Sequence, residues 1–278
     1  MHDPAKSPSK SYDVRRPWTA AAAGTLVGAL GGLIGLGGAE FRLPVLITIF
    51  ALLPHRAVRF NLLVSLITLA FAFATRINVH SGAGISDNMD VLASMIAGGM
   101  IAAWVGAGML SRIPPERLMT IISALLLVVA VLLVAEAGLS SETPLALPRD
   151  PLIRSIAGVL AGLLVGAISS LLGVAGGEFI IPILIFLFGL DIQSAGTLSL
   201  LISLPIVAIG VAKHRLKKHY RSRDVLQHLV LPMSVGSIAG AILGGYVSAY
   251  AASGVLKVFL ATILAASAVK LWRKGHGT

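Results

Sequence analysis

From residue 57 to 75 the chain is predominantly apolar, and it is so again over 91–110, 117–136, 195–212, 225–246 and 255–271. Each run approaches the roughly 20 residues a helix needs to cross a hydrocarbon core of about 30 Å. The apolar residues are continuous and do not alternate, which excludes lipid-facing β-barrel strands. Composition agrees: 56% hydrophobic, 12% charged and a mean hydropathy of +0.90 lie far from a soluble domain's roughly half apolar and quarter charged. The chain is therefore expected to be an all-α polytopic membrane protein, with the lipid bilayer as its first partner. It has no cysteine, so disulfides and thiolate metal sites are excluded. The net charge of +10 points to basic loops on one side of a membrane, and nucleic acid is not expected as a partner.

The chain is also duplicated. Shifted by 138 residues (173 minus 35), AGTLVGALGGLIGLGGAEFRLPVL falls over AGLLVGAISSLLGVAGGEFIIPIL. Apolar residues match one another cheaply. The pairs Gly24 with Gly162, Gly28 with Gly166, Gly35 with Gly173, Glu40 with Glu178 and Pro44 with Pro182 are harder to obtain by chance. At the same offset Asn61 meets Ser199 and Ser65 meets Ser203, and DVL recurs at 90–92 and 224–226 after a small change of loop length. The boundaries that follow are a tail at 1–17, a first repeat at 18–136, a linker at 137–154, a second repeat at 155–272 and a tail at 273–278.

Charge sets the expected topology. The N-terminal tail carries Lys6, Lys10, Arg15 and Arg16, and the loop KHRLKKHYRSRD at 213–224 carries six bases. The intervening stretch 76–90 has only Arg76. The positive-inside rule then places both termini in the cytoplasm and the linker outside. Residues 18–52 must begin and end on one side, and 155–190 on the other. A straight helix of that length would reach roughly 50 Å, too long for one crossing, so each segment folds back. The glycine clusters supply the turn, and Pro44 and Pro182 are expected in the first turn or so of the returning piece. Each half becomes a broken-helix hairpin plus three full transmembrane helices. That count is odd, which makes the two repeats inverted.

Paired breaks in inverted repeats point to a transport site near the midplane, and the amides that open each returning helix suit an anion. Of twelve acidic residues, only Glu40 and Glu178 lie inside deeply apolar elements. Two roles stand open for them: capping the orphan amides of a short helix, or exchanging a proton during transport. Arg42, whose repeat mate is Ile180, either binds the anion, pairs with Glu40 or snorkels to an interface. Asn61, Ser65, Thr197, Ser199 and Ser203 begin the first full crossing of each half. They either donate hydrogen bonds to an oxyanion or join helices. With the turn residues Gly37, Gly38, Ala39, Gly176 and Gly177 they form the candidate binding set; Gln193 and Thr68 are weaker candidates.

Glycines 24, 28, 32, 162 and 166, spaced by four, are read as close helix contacts. No GK[ST] follows them, so they form no nucleotide loop. His80, His214 and His219 are placed in loops, and no metal or cofactor is expected. An intramembrane enzyme is disfavoured for want of a paired nucleophile and base.

The motif GLIGLGGAEFRLP, its echo LLGVAGGEFIIP and the following SAGTLSLL resemble the TauE/SafE family of sulfite exporters, over about 18–272. The resemblance implies a secondary transporter that exports a small sulfur oxyanion or organosulfonate across the cytoplasmic (inner) membrane by alternating access. Sulfite and sulfoacetate are examples of such substrates. A passive anion channel is the alternative. An inside-negative potential, about 2.3 kcal/mol per charge per 100 mV, would drive such export without a coupled ion, so proton coupling is open. The oligomeric state is equally open, a homodimer included.

Overall fold

The computed structural model describes residues 17–34, 38–77, 88–138, 147–148, 150–190, 192–217, 220, 223–248 and 253–276. Among them the fold is all-helical. The helices are α1 (Pro17–Ile34), α2 (Ala39–Thr48), α3 (Pro54–Ile77), α4 (Met89–Met109), α5 (Pro115–Gly138), α6 (Pro151–Leu172), α7 (Gly177–Phe186) and α8 (Ile192–Leu216). The short α9 (Arg223–Val225) runs through a π-helical turn at Leu226–Val230 into α10 (Leu231–Ser248), and α11 (Ser253–His276) closes the chain.

Among the described residues, six stretches are long and apolar enough to cross a membrane: Pro54–Ala74, Met89–Arg112, Pro115–Leu132, Pro151–Leu172, Ser194–Leu216 and Arg223–Gly244. One of them, α6, is the first limb of the second folded-back segment. It begins inside the stretch read as linker, because Asp150 accepts from the amides of Leu152 and Ile153 and Pro151 fits the first helical position. The returning limbs α2 and α7 have only 10 residues each.

The helices pair across the repeat boundary. Helix α1 lies against α10, and its repeat mate α6 lies against α4. Both contacts are too close for side chains. A Cβ on Gly24 would stand 2.3 Å from the carbonyl oxygen of Met233, and one on Gly162 would stand 2.2 Å from that of Met95. Gly28 meets Ser237 and Gly166 meets Gly99 in the same way, so both pairs run parallel. Lipid tails are as apolar as leucine, which leaves close packing of small residues as a main force joining such helices.

Met95 and Met233 stand 138 residues apart, as do Gly99 and Ser237, so the offset of the hairpins persists here. The DVL echo at 90–92 and 224–226 lies four residues out of that register. The matched helices α5 and α11 also pack together, and Gly275 at the end of α11 faces Met119 near the start of α5. These two helices run antiparallel. Leu62, early in α3, likewise faces Gly210, late in α8.

Most described bases gather at one end. There Lys217 Nζ donates to Gly108 O at 3.0 Å, Lys213 Nζ stands 3.7 Å over the Trp104 ring, and Tyr220 Oη donates to Arg59 O at 3.0 Å. Burial pushes the Tyr220 phenol up from its ordinary range, so it remains a donor. His214 is fully buried within α8 and does not lie in a loop. The loop assignment failed because the basic run around it disguises the helix end. At the opposite end Arg154 bonds Asp90 at 2.9 Å and Asn88 at 2.7 Å, and stands 5.7 Å over the Phe188 ring. The start of α6 and the end of α7 therefore lie together, as a folded-back segment requires.

Candidate functional site

Both returning helices start from a glycine held at positive φ, Gly38 at 68° and Gly176 at 80°. A Cβ would be strained in that region. The helices begin at the next residue, so Pro44 and Pro182 are each the sixth helical residue, in the second turn and not the first. Each proline there removes the amide that would bond the carbonyl four residues back, which belongs to Glu40 in one hairpin and Glu178 in the other. A break in the ladder thus falls at each buried glutamate.

Helix α3 stitches the two tips together. Asn61 Nδ2 donates to Ala39 O at 2.9 Å on the first hairpin and to Leu172 O at 3.4 Å on the second. Its Oδ1 accepts from Arg42 Nη1 at 3.3 Å. The same Nη1 reaches Ser65 Oγ at 3.4 Å, and Ser65 Oγ donates to Gly173 O, also at 3.4 Å. The i to i+4 spacing that puts Asn61 and Ser65 on one face therefore becomes a bridge. Arg42 has 0% exposure and does not snorkel.

Glu40 and Glu178 are 2% and 5% exposed. Their carboxyl groups lie beside each other, near enough to interact, and Arg42 adds its field to that of Glu40. None of the four carboxyl oxygens accepts a hydrogen bond, and neither short helix has a side-chain cap. Three ionisable groups thus meet where the hairpins meet, and Arg42 donates to two neutral acceptors, Asn61 and Ser65.

The second-half candidates sit differently. Helix α8 packs on α3 and α7, but Ser199 Oγ turns back to Gly196 O at 2.9 Å, while Ser203 is buried and Thr197 half-buried. Gly177 is buried at the start of α7. Thr68 Oγ1 donates to Ser65 O within α3. Gly37, His80, His219 and the side chain of Gln193 lie outside the described residues. Sequence reasoning did not single out Ser169, whose hydroxyl spans the second turn to Val174 O at 2.6 Å. Its only sequence signal is a serine one turn before the glycine break. Among the described residues no cluster of three His, Asp or Glu side chains is placed to hold a metal.

Membrane-length apolar helices around two broken segments with buried ionisable tips define a multi-pass α-helical membrane protein. The model of the sulfite exporter TauE/SafE family matches residues 20–271. The chain belongs to that family. Comparison with curated proteins and with solved structures finds no match.

Proposed function

We propose that the chain exports a small sulfur-containing anion, sulfite or an organosulfonate, by alternating access, with the substrate bound between the two hairpin tips. The observation that carries this reading is the Arg42 guanidinium, fully buried where the tips meet and bonded to Asn61 and Ser65. An oxyanion would form stronger, charge-assisted bonds with this guanidinium than the neutral oxygens of Asn61 and Ser65 do. The amides opening α2 and α7 add partial positive charge on the same anion. In this reading the repeats are inverted, the termini are cytoplasmic and the basic end faces the cytoplasm. The antiparallel course of α5 and α11 and the gathering of bases at one end support it.

A second reading, proton coupling, is favoured by the carboxyl pair. With both glutamates ionised the tips would carry a net negative charge and repel an anion. A proton shared between Glu40 and Glu178 would supply the donor that both lack and remove the repulsion. Anion and proton would then bind together.

The test is flux of sulfite, thiosulfate, sulfoacetate, taurine and chloride in proteoliposomes, under an imposed potential and a pH gradient. Saturable, selective flux of a sulfur anion is expected. Flux of every anion at channel-like rates without saturation would replace the transporter with a pore.

A further inference from the structure

The two short helices end differently. Helix α7 closes with a pair of bonds, Leu190 N to Leu184 O at 3.1 Å and Gly189 N to Ile185 O at 3.0 Å, around Gly189 at φ 69°. This is the left-handed glycine termination that satisfies the last carbonyls of a helix. Helix α2 repeats the first bond, Leu52 N to Leu46 O at 3.0 Å. The counterpart of Gly189 is Ala51, the single non-glycine residue at positive φ among the described residues, at 50°. The counterpart of the Ile185 carbonyl is that of Ile47, which accepts from Lys274 Nζ at 2.9 Å, a bond spanning 227 residues.

We infer that Lys274 is a positioning residue for the anion site: from the last turn of α11 it replaces the terminal bond that glycine makes in the other hairpin. The inference rests on the proposed site at the opposite end of α2. That helix is only about 15 Å long, so one end cannot shift without moving the other. Glu40 and Arg42 stand near its start, and the Lys274 ammonium sits at its negative, carbonyl end, where a cation is favoured. The first hairpin is thereby tied to the last helix, while in the second the Ile185 carbonyl is met by the hairpin's own Gly189 amide and the next bond from outside, Leu147 N to Leu187 O at 2.9 Å, is a backbone one. Alanine holds the left-handed turn less readily than glycine, and the lysine compensates.

The experiment compares K274M, K274R and the double variant K274M/A51G with the unaltered protein. Two readouts are needed: amide hydrogen exchange over residues 43–52 of the purified protein, and the KM for sulfite flux in proteoliposomes. K274M is expected to raise both by about two- to fivefold. K274R should stay near the unaltered protein. Adding A51G should restore both values, because glycine accepts the positive φ and lets its own amide reach Ile47 O. Unchanged exchange in K274M, or no rescue by A51G, overturns the role of Lys274. Faster exchange with an unaltered KM severs the latch from the site and overturns the proposal too. If the unaltered protein carries no sulfur anion, the site reading fails, while the exchange data still judge the latch.

Discussion

The first hairpin carries Arg42 where the second carries Ile180. The helix behind it offers Asn61 and Ser65 where α8 offers Ser199 and Ser203. Their scaffolds are nearly the same: a left-handed glycine, ten helical residues and a proline at the sixth. Their chemistry is not. In one half, side chains reach across to both tips; in the other, Ser199 bonds its own helix. Two similar helix breaks thus carry different side chains, and Arg42, Asn61 and Ser65 gather at the first of them.

The largest effect is expected from the shared part of the scaffold. Gly162→Leu and Gly24→Leu each drive a side chain into a backbone carbonyl, of Met95 and Met233 respectively. Each should cost about 3 kcal/mol or more, seen as loss of the monodisperse, folded protein in detergent. Equal losses would confirm that the two contacts are equivalent, and tolerance of one alone would break the comparison. Arg42→Ile makes the hairpins alike and should weaken sulfite binding by about 2–3 kcal/mol, read from the flux KM. An unaltered KM would remove Arg42 from the site.

The carboxyl pair comes next. If the pair takes up one proton with the anion, apparent anion affinity should rise as pH falls, by at most about tenfold per unit. The Glu40→Gln, Glu178→Gln double variant should flatten that slope, and a slope that persists in the folded variant would exclude the pair. Asn61→Ser, which makes α3 resemble α8, should lower stability by about 1–2 kcal/mol through the lost links to Ala39 and Leu172. A thermal shift near zero would show that those links are dispensable.

Much of the candidate site was legible because charge in an apolar run is conspicuous. Glu40, Arg42 and Glu178 stood out by cost alone. Asn61 and Ser65 were found by repeat matching and helical spacing, though not their reach to Leu172 and Gly173, which lie more than a hundred residues away. Lys274 was hidden among the bases of a tail, where nothing local separates a helix cap from a topology signal. His214 was misplaced for a related reason: a charged run reads as a loop even when the helix continues into it.

The sequence by itself determined the solvent, the duplication, the two breaks and the residues that carry charge near them. These are local properties, set by hydropathy, by glycine and proline, and by the cost of burying an ionised group. Only the tertiary structure decided that α1 pairs with α10 and α6 with α4, that Glu40 comes to lie beside Glu178, and that α3 bridges both tips. Lateral pairing in a bilayer has little hydrophobic bias. It depends on which small-residue faces fit together at close range, and that fit exists only once the helices have met.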